Sequence, residues 1–169
     1  MSEHEVWLRG PIPDIPPYLQ PVAHSLLQCR AEVRATLDGL SREEVWRRPG
    51  NAASMGYHVR HAIGSIDRLL TYARGEQLSA AQLMSLSGEG NEDDGAGSAE
   101  ELMAAFDDAV DAALTQLRET DEATLLDARE VGRAKLPSTV IGLLFHAAEH
   151  AQRHVGQLVT TAKVAMSER

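Results

Sequence analysis

The sequence contains a single cysteine, Cys29, and no run of eighteen consecutive apolar residues among its 169 positions. One cysteine excludes a framework of intrachain disulfides, and the missing apolar run predicts that no helix spans a membrane. The first residues also lack the basic start and the apolar stretch of a secretory signal peptide. We therefore expect a cytoplasmic protein without a membrane partner.

Basic residues are in short supply. Lys and Arg number 16 against 25 Asp and Glu, which gives a formal net charge of −9 at pH 7. Proteins that bind nucleic acids need a basic surface to neutralise phosphates, so we expect no nucleic-acid partner. A chain of this length is most simply one domain with a sizeable core.

Stretches that alternate apolar and polar residues are too short to require a sheet. Prolines concentrate near the start of the chain and predict an extended, proline-rich arm over residues 1–20. They are Pro11, Pro13, Pro16 and Pro17. Residues 21–165 are then expected to form the folded domain.

Four long segments carry apolar residues at spacings of three and four, which is typical of amphipathic helices. The first two run roughly over Pro21–Leu37 and Ala53–Arg74. The third opens at Ser98, and the fourth runs from an N-cap at Ser138 to about Lys163. The predicted fold is all-α, a four-helix bundle preceded by the proline-rich arm.

Shorter features are predicted between these helices. Capping boxes at Ser41–Glu44 and Ser98–Glu101 open a short helical turn and the third long helix. A brief helix is expected over Ser79–Leu86, followed by a mobile, acidic surface loop at Gly88–Gly97. The segment Thr120–Pro137 is expected to be irregular, with a short extended piece around Arg129–Lys135.

Cys29 lies in the middle of the apolar stripe of the first long helix, between Leu26 and Val33. A thiol in that position is expected to be buried as part of the core. We therefore expect packing, and not reactivity, to be its role.

Five of the seven histidines fall in two predicted helices. His58 and His61 lie in the second long helix, and His146, His150 and His154 stand four residues apart in the fourth. Residues separated by three or four positions lie on one side of a helix, so two imidazoles at that spacing can reach one cation.

The apolar stripes indicate which histidines face the bundle interior. In the fourth helix His154 lies nearest the centre of the stripe, then His150, and His146 lies farthest from it. The spacing alone fits the pair His146 and His150 equally well. In the second helix, His58 lies closer to the stripe than His61. A third imidazole from this helix would complete the three protein ligands that catalytic zinc sites use.

The residues His146, Glu149 and His150 also spell H-x-x-E-H, a pattern of some zinc proteases. In that arrangement Glu149 would activate water, and a carboxylate well downstream would supply the third ligand. The only acid after His150 is Glu168. The pattern is therefore disfavoured, and Glu149 is expected to be a solvated helix residue.

At this point the chain resembles a known family. The segments HAIGSID at His61–Asp67 and HAQRHVGQ at His150–Gln157 resemble the histidine motifs of the DinB (YfiT-like) superfamily. The resemblance covers nearly the whole chain after the arm and implies a four-helix bundle. It also implies a divalent transition metal, zinc, nickel or a similar ion, held by His61, His150 and His154. The family match favours His61 over His58, which remains the contender, and leaves His146 as an additional histidine.

The resemblance implies an activity as well. Some members of the superfamily are thiol-dependent transferases, in which the metal binds the sulfur of mycothiol, bacillithiol or glutathione. This implies a metal-dependent thiol S-transferase or hydrolase with an open coordination position and a small-molecule substrate. Two-fold dimers are common in the family, so a homodimer is expected. One alternative is a non-catalytic bundle that binds metal or a small molecule, and another is a structural protein whose histidines are incidental.

Few other groups near the histidines suggest chemistry. Asp67 could accept a hydrogen bond from an imidazole N–H, although a salt bridge on the helix surface is the more common role of such a residue. Arg68 and Arg153 lie near the motifs without an evident function. Tyr57 and Tyr72 could line an opening, but packing in the core is the expected role of both.

Overall fold

The computed structural model describes residues 4–89 and 97–167. Its helices are α1 (Gln20–Leu37), α2 (Arg42–Trp46), α3 (Met55–Ala73), α4 (Ala80–Gly88), α5 (Ala99–Glu119) and α6 (Val140–Ser167). The strands β1 (Ala128–Val131) and β2 (Leu136–Thr139) form one antiparallel hairpin. The predicted all-α fold is confirmed. Of the predicted loop at Gly88–Gly97, residues 90–96 lie outside the described part of the chain.

The four long helices pack around one core. α6 packs against α1 and α3, and α5 packs against the same two helices, so α5 and α6 occupy opposite corners of the bundle. Fully burying a large apolar side chain contributes about 1.5–3 kcal/mol relative to leaving it exposed. The largest fully buried side chains include Leu26, Leu37, Ile66, Phe106, Leu117, Leu144 and Leu158.

The apolar stripes predict most of the buried positions. The residues at stripe spacing in α1 and α6 are all buried: Val22, Leu26, Cys29, Val33 and Leu37 in α1, and Val140, Leu144, Ala147, Ala151, Val155 and Leu158 in α6. In α3 and α5, Leu69 and Met103 also stand at stripe spacing but are only partly buried, while their neighbours Leu70 and Leu102 are buried. In α3 the reason is that α5 and α6 cover it from two sides, so its buried arc is wider than a single stripe.

The pairing of two strands into a hairpin was not predicted. Ala128 pairs with Thr139 and Val131 with Leu136. β1 overlaps the short extended piece expected around Arg129–Lys135, whereas β2 continues past the end of the irregular segment into the predicted fourth helix. Strands of four residues are too short to show a period of two in the sequence. The predicted N-cap at Ser138 was wrong, because Ser138 belongs to β2. The Thr139 hydroxyl accepts instead from the Gly142 N–H, at 3.1 Å.

Residues 4–19 pack along the bundle through 3-10 turns at Val6–Leu8 and Pro17–Leu19. The Gln20 side chain holds this segment, because its amide oxygen accepts from the Ile12 N–H at 2.8 Å and its amide nitrogen donates to the Ile12 carbonyl at 2.9 Å. Within the described ranges, no helix is both long enough and apolar enough to cross a bilayer.

Candidate metal centre

The histidines of α3 and α6 face one another in two pairs. His58 Nδ1 lies 3.2 Å from His154 Nδ1, and His61 Nε2 lies 3.0 Å from His150 Nε2. The residue numbers rise along α3 while those of their partners fall along α6. The two helices are therefore antiparallel where they meet, and four imidazoles line their interface.

Three of these imidazoles converge. His61, His150 and His154 each offer one nitrogen, and these three nitrogens all lie within 4.8 Å of one another. Their ring centroids are 4.4 Å (His61–His154), 4.7 Å (His150–His154) and 5.2 Å (His61–His150) apart. All three side chains are partly buried. Among residues 4–89 and 97–167, no other group of three or more His, Cys, Asp or Glu side chains meets this criterion.

The nitrogen positions are close to those that a divalent cation requires. Imidazole nitrogens bind zinc at about 2.0–2.1 Å, so two of them on one tetrahedral ion stand roughly 3.3–3.4 Å apart. The Nε2 atoms of His61 and His150, 3.0 Å apart, are slightly closer than this, and all three nitrogens lie within 4.8 Å of one another. The His150 Nδ1 atom is buried without a hydrogen-bond partner in the described structure.

The surroundings keep three of the histidines neutral, as metal binding requires. Burial is the main cause that lowers the pKa of His58, His150 and His154, and the nearby His61 lowers all three further. The pKa of His154 falls to about 4. These imidazoles therefore offer lone pairs, and not positive charges, near neutral pH.

A buried carboxylate contacts the remaining imidazole. The Glu89 Oε2 atom lies 2.8 Å from His61 Nδ1, and its Oε1 atom accepts a hydrogen bond from Arg68 Nη1. The Ser65 hydroxyl lies 3.4 Å from His61 Nε2 and accepts from Arg68 Nη2. Glu89 and Arg68 are each 8% exposed. The prediction of a mobile surface loop from Gly88 onward was therefore wrong at Glu89.

Sequence reasoning missed Glu89, although α3 carries a signal for it. His61, Gly64, Ser65 and Arg68 stand three, four and seven residues apart and so share one side of the helix. A glycine in mid-helix costs about 1 kcal/mol relative to alanine, which points to a close approach there. An arginine buried on the same side requires an acidic partner.

His146 and Glu149 lie outside the cluster. The His146 side chain is 50% exposed, and its Nδ1 atom lies 3.2 Å from Glu149 Oε2. Glu149 also accepts from Arg153, whose side chain is 54% exposed. Neither Glu149 nor Arg153 has a hydrogen bond to the three convergent histidines, in agreement with the expectation of a solvated Glu149.

The other candidate residues have structural contacts. The Asp67 carboxylate accepts from the Gln82 side chain at 2.9 Å, so its partner is neither an imidazole nor a basic residue. Tyr57 stacks on His61, with ring centroids 5.7 Å apart and planes inclined by 13°. Tyr72 is buried in the core, as expected. Cys29 is fully buried, which confirms its packing role.

The model of the DinB superfamily matches residues 25–158, which span α1 to α6 and include all five histidines described above. No curated protein matches the sequence.

Proposed function

The chain belongs to the DinB superfamily, and from that premise we propose that it is a divalent-metal-dependent enzyme, a thiol-dependent S-transferase or hydrolase. The observation that supports the proposal is the convergence of His61, His150 and His154 to within 4.8 Å. Three protein ligands with room for one more are typical of catalytic sites, whereas structural zinc sites use four.

Each residue has a definite task in this proposal. His150 and His154 hold the ion from α6, and His61 holds it from α3. A divalent cation supplies positive charge that lowers the pKa of a thiol or of water at the remaining coordination position. Zinc, nickel and similar ions all suit imidazole ligands, so the donor set leaves the metal open.

The partial burial of the cluster is consistent with access for a small molecule. The His61 side chain is 20% exposed, and Tyr57 covers one face of its ring. The Ser65 hydroxyl lies 3.4 Å from His61 Nε2 and could donate a hydrogen bond to an anionic sulfur or oxygen there. We propose that the histidine site binds a low-molecular-weight thiol and a small electrophilic substrate.

Metal analysis is the first test. The chain is purified without a nickel column, and elemental analysis measures the metal bound per chain. We expect about one divalent ion in the wild type and a strong loss in His150→Ala, because this variant removes a ligand. His146→Ala is the matched control, since it removes a half-exposed histidine one turn away on the same helix. If the wild type, His150→Ala and His146→Ala all contain the same amount of metal, the assignment of His150 as a metal ligand is wrong.

Turnover is the second test. Wild type and His150→Ala are assayed with mycothiol, bacillithiol and glutathione against a halogenated aromatic acceptor. We expect metal-dependent conjugation by the wild type alone. If no thiol supports turnover and no ester or amide is hydrolysed while the metal remains bound, the enzyme proposal fails. A non-catalytic metal-binding bundle would then be the better description.

We also propose that the chain forms a homodimer, as the family resemblance implies. Sedimentation velocity measures this directly, and a monomer at micromolar concentration would contradict it.

A further inference from the structure

Glu89 and Arg68 form a buried ion pair beside the three histidines, and Glu89 contacts one of them, His61. We propose that Glu89 is a positioning residue, which selects the tautomer of His61, and that Arg68 holds its carboxylate in place. This inference rests on the proposed metal site for its effect on binding. The tautomer itself can be tested without any metal.

The contacts of Glu89 use both of its oxygens. Oε2 lies 2.8 Å from His61 Nδ1, and Oε1 accepts from Arg68 Nη1. The backbone is held as well, because Arg60 Nη2 donates to the Glu89 carbonyl at 3.4 Å. A side chain that is 9% exposed and fixed at both ends has little freedom to turn away.

This geometry determines which ring nitrogen of His61 carries the proton. A carboxylate only accepts hydrogen bonds, so Nδ1 of His61 must carry the proton. In a neutral imidazole the other nitrogen, Nε2, is then a lone pair, and it points to His150. In the alternative tautomer the proton sits on Nε2 and blocks metal binding.

The helix is shaped to admit this pair. A Cβ atom at Gly64 would collide with Glu89 Oε1 and would lie 2.6 Å from Arg68 Nη1. Only a residue without a side chain leaves that space free. Glycine at position 64 therefore leaves room for the Glu89 carboxylate. That carboxylate accepts the proton of His61 Nδ1 and so selects the tautomer.

The first experiment observes the tautomer. Long-range 1H–15N correlation spectra of the metal-free protein distinguish a protonated from an unprotonated ring nitrogen. We expect His61 of the wild type to carry its proton on Nδ1. In Glu89→Gln one amide oxygen must serve both His61 and Arg68, so we expect a mixture of tautomers. A His61 that already carries its proton on Nε2 in the wild type would overturn the proposal.

The second experiment measures Co²⁺ affinity by visible absorption and chelator competition. We expect Glu89→Gln to weaken binding by about 10- to 100-fold, the usual effect of removing a partner behind a metal ligand. Glu149→Gln is the matched control, since Glu149 contacts the exposed His146 instead. We expect it to bind within about twofold of wild type. An unchanged affinity in Glu89→Gln would overturn the positioning role.

A double variant separates positioning from stability. Arg68→Met combined with Glu89→Met removes both charges, and an apolar pair of similar size can replace a buried ion pair without loss of stability. We expect a near-normal melting temperature together with weak Co²⁺ binding. If the double variant has both a normal melting temperature and the Co²⁺ affinity of the wild type, Glu89 and Arg68 have only a structural role. If the wild type itself binds no Co²⁺, the proposed function fails, and the tautomer spectra still decide the role of Glu89.

Discussion

His58 and His154 face each other through their Nδ1 atoms at 3.2 Å, although they lie 96 residues apart in the chain. One of these nitrogens must donate and the other accept. His58 therefore orients the ring of His154 from the buried side of the interface. His58 thus contacts His154 in the way that Glu89 contacts His61: each is the partner of one of the three convergent histidines.

This arrangement predicts different effects for the two histidines of α3. His61→Phe removes a proposed ligand, so we expect it to abolish stoichiometric Co²⁺ binding. His58→Phe keeps a ring in the core and removes only the contact to His154, so we expect a loss of about tenfold. Chelator competition measures both. The assignment of His61 is wrong if His61→Phe binds normally and His58→Phe does not bind.

Two glycines should respond in opposite directions to alanine. In Gly156→Ala the new Cβ meets no atom within 4 Å, so the variant should gain about 0.5–1 kcal/mol in the free energy of unfolding. In Gly64→Ala the new Cβ meets Glu89 and Arg68, so we expect a loss of about 1–2 kcal/mol. Urea denaturation measures both values. A stabilised Gly64→Ala would contradict the close approach of the buried pair.

Cys29 should react slowly in the folded protein. Burial raises the pKa of its thiol to about 12, and its sulfur lies 3.0 Å from Gln152 Oε1. The thiolate is the reactive form, so labelling by an aromatic disulfide at pH 8 should be slower by a factor on the order of 100 to 1000 than in the unfolded chain. Absorbance of the released thiol measures the two rates. Comparable rates would show that Cys29 is accessible.

The same thiol makes stability depend on alkaline pH. Its pKa is higher in the folded state, about 12, than the ordinary value of 9.0 that the unfolded chain has. The folded state therefore favours the protonated thiol. This contribution is complete below about pH 9 and is lost as the pH rises through about 12. Relative to Cys29→Ala, the free energy of unfolding of the wild type should fall over that range. Parallel pH profiles would contradict the shift.

The hairpin should stabilise the end of α3. Arg129 Nε of β1 donates to the Ala73 carbonyl at 2.8 Å, where the helix leaves its last carbonyls without partners. Arg129→Ala should lower the free energy of unfolding by about 1 kcal/mol. Arg133→Ala, at an exposed position of the same hairpin, should change it by less than about 0.5 kcal/mol. Equal effects would show that the contact contributes nothing.

The bundle could be predicted because its helices carry their own signals. The stripe of Val22, Leu26 and Val33 requires burial on one side, and it places α1 within one residue of its observed start at Gln20. The capping boxes at Ser41 and Ser98 are both present as predicted. Such signals act over three or four residues, so one sequence is enough to read them.

The histidine site could be predicted only in part. The spacing of His150 and His154 indicates a shared side of α6, but the stripe of α3 favours His58 over His61. His58 is 8% exposed, whereas the His61 side chain is 20% exposed, so the cluster lies toward the solvent side of the helix interface. An apolar stripe indicates which residues face the centre of the bundle. A site that admits a ligand lies nearer the surface, so the stripe does not identify its residues.

Glu89 could not be predicted from spacing. It follows α4 and reaches α3 across 28 residues of sequence, from a segment whose composition is typical of a surface loop. Local periodicity carries no information about such a contact. Its only trace is indirect, in the buried Arg68 that needs an anion and in the Gly64 that leaves room for one.

Two of the converging nitrogens belong to α6 and the third to α3, so an ion bound there ties together two segments that are far apart in the chain. Metal binding would then be coupled to folding. A free metal concentration of 100 times the dissociation constant would add about 2.7 kcal/mol to the free energy of unfolding. The metal supply of a cell would thus govern how much of this chain escapes proteolysis, whether or not any substrate is present.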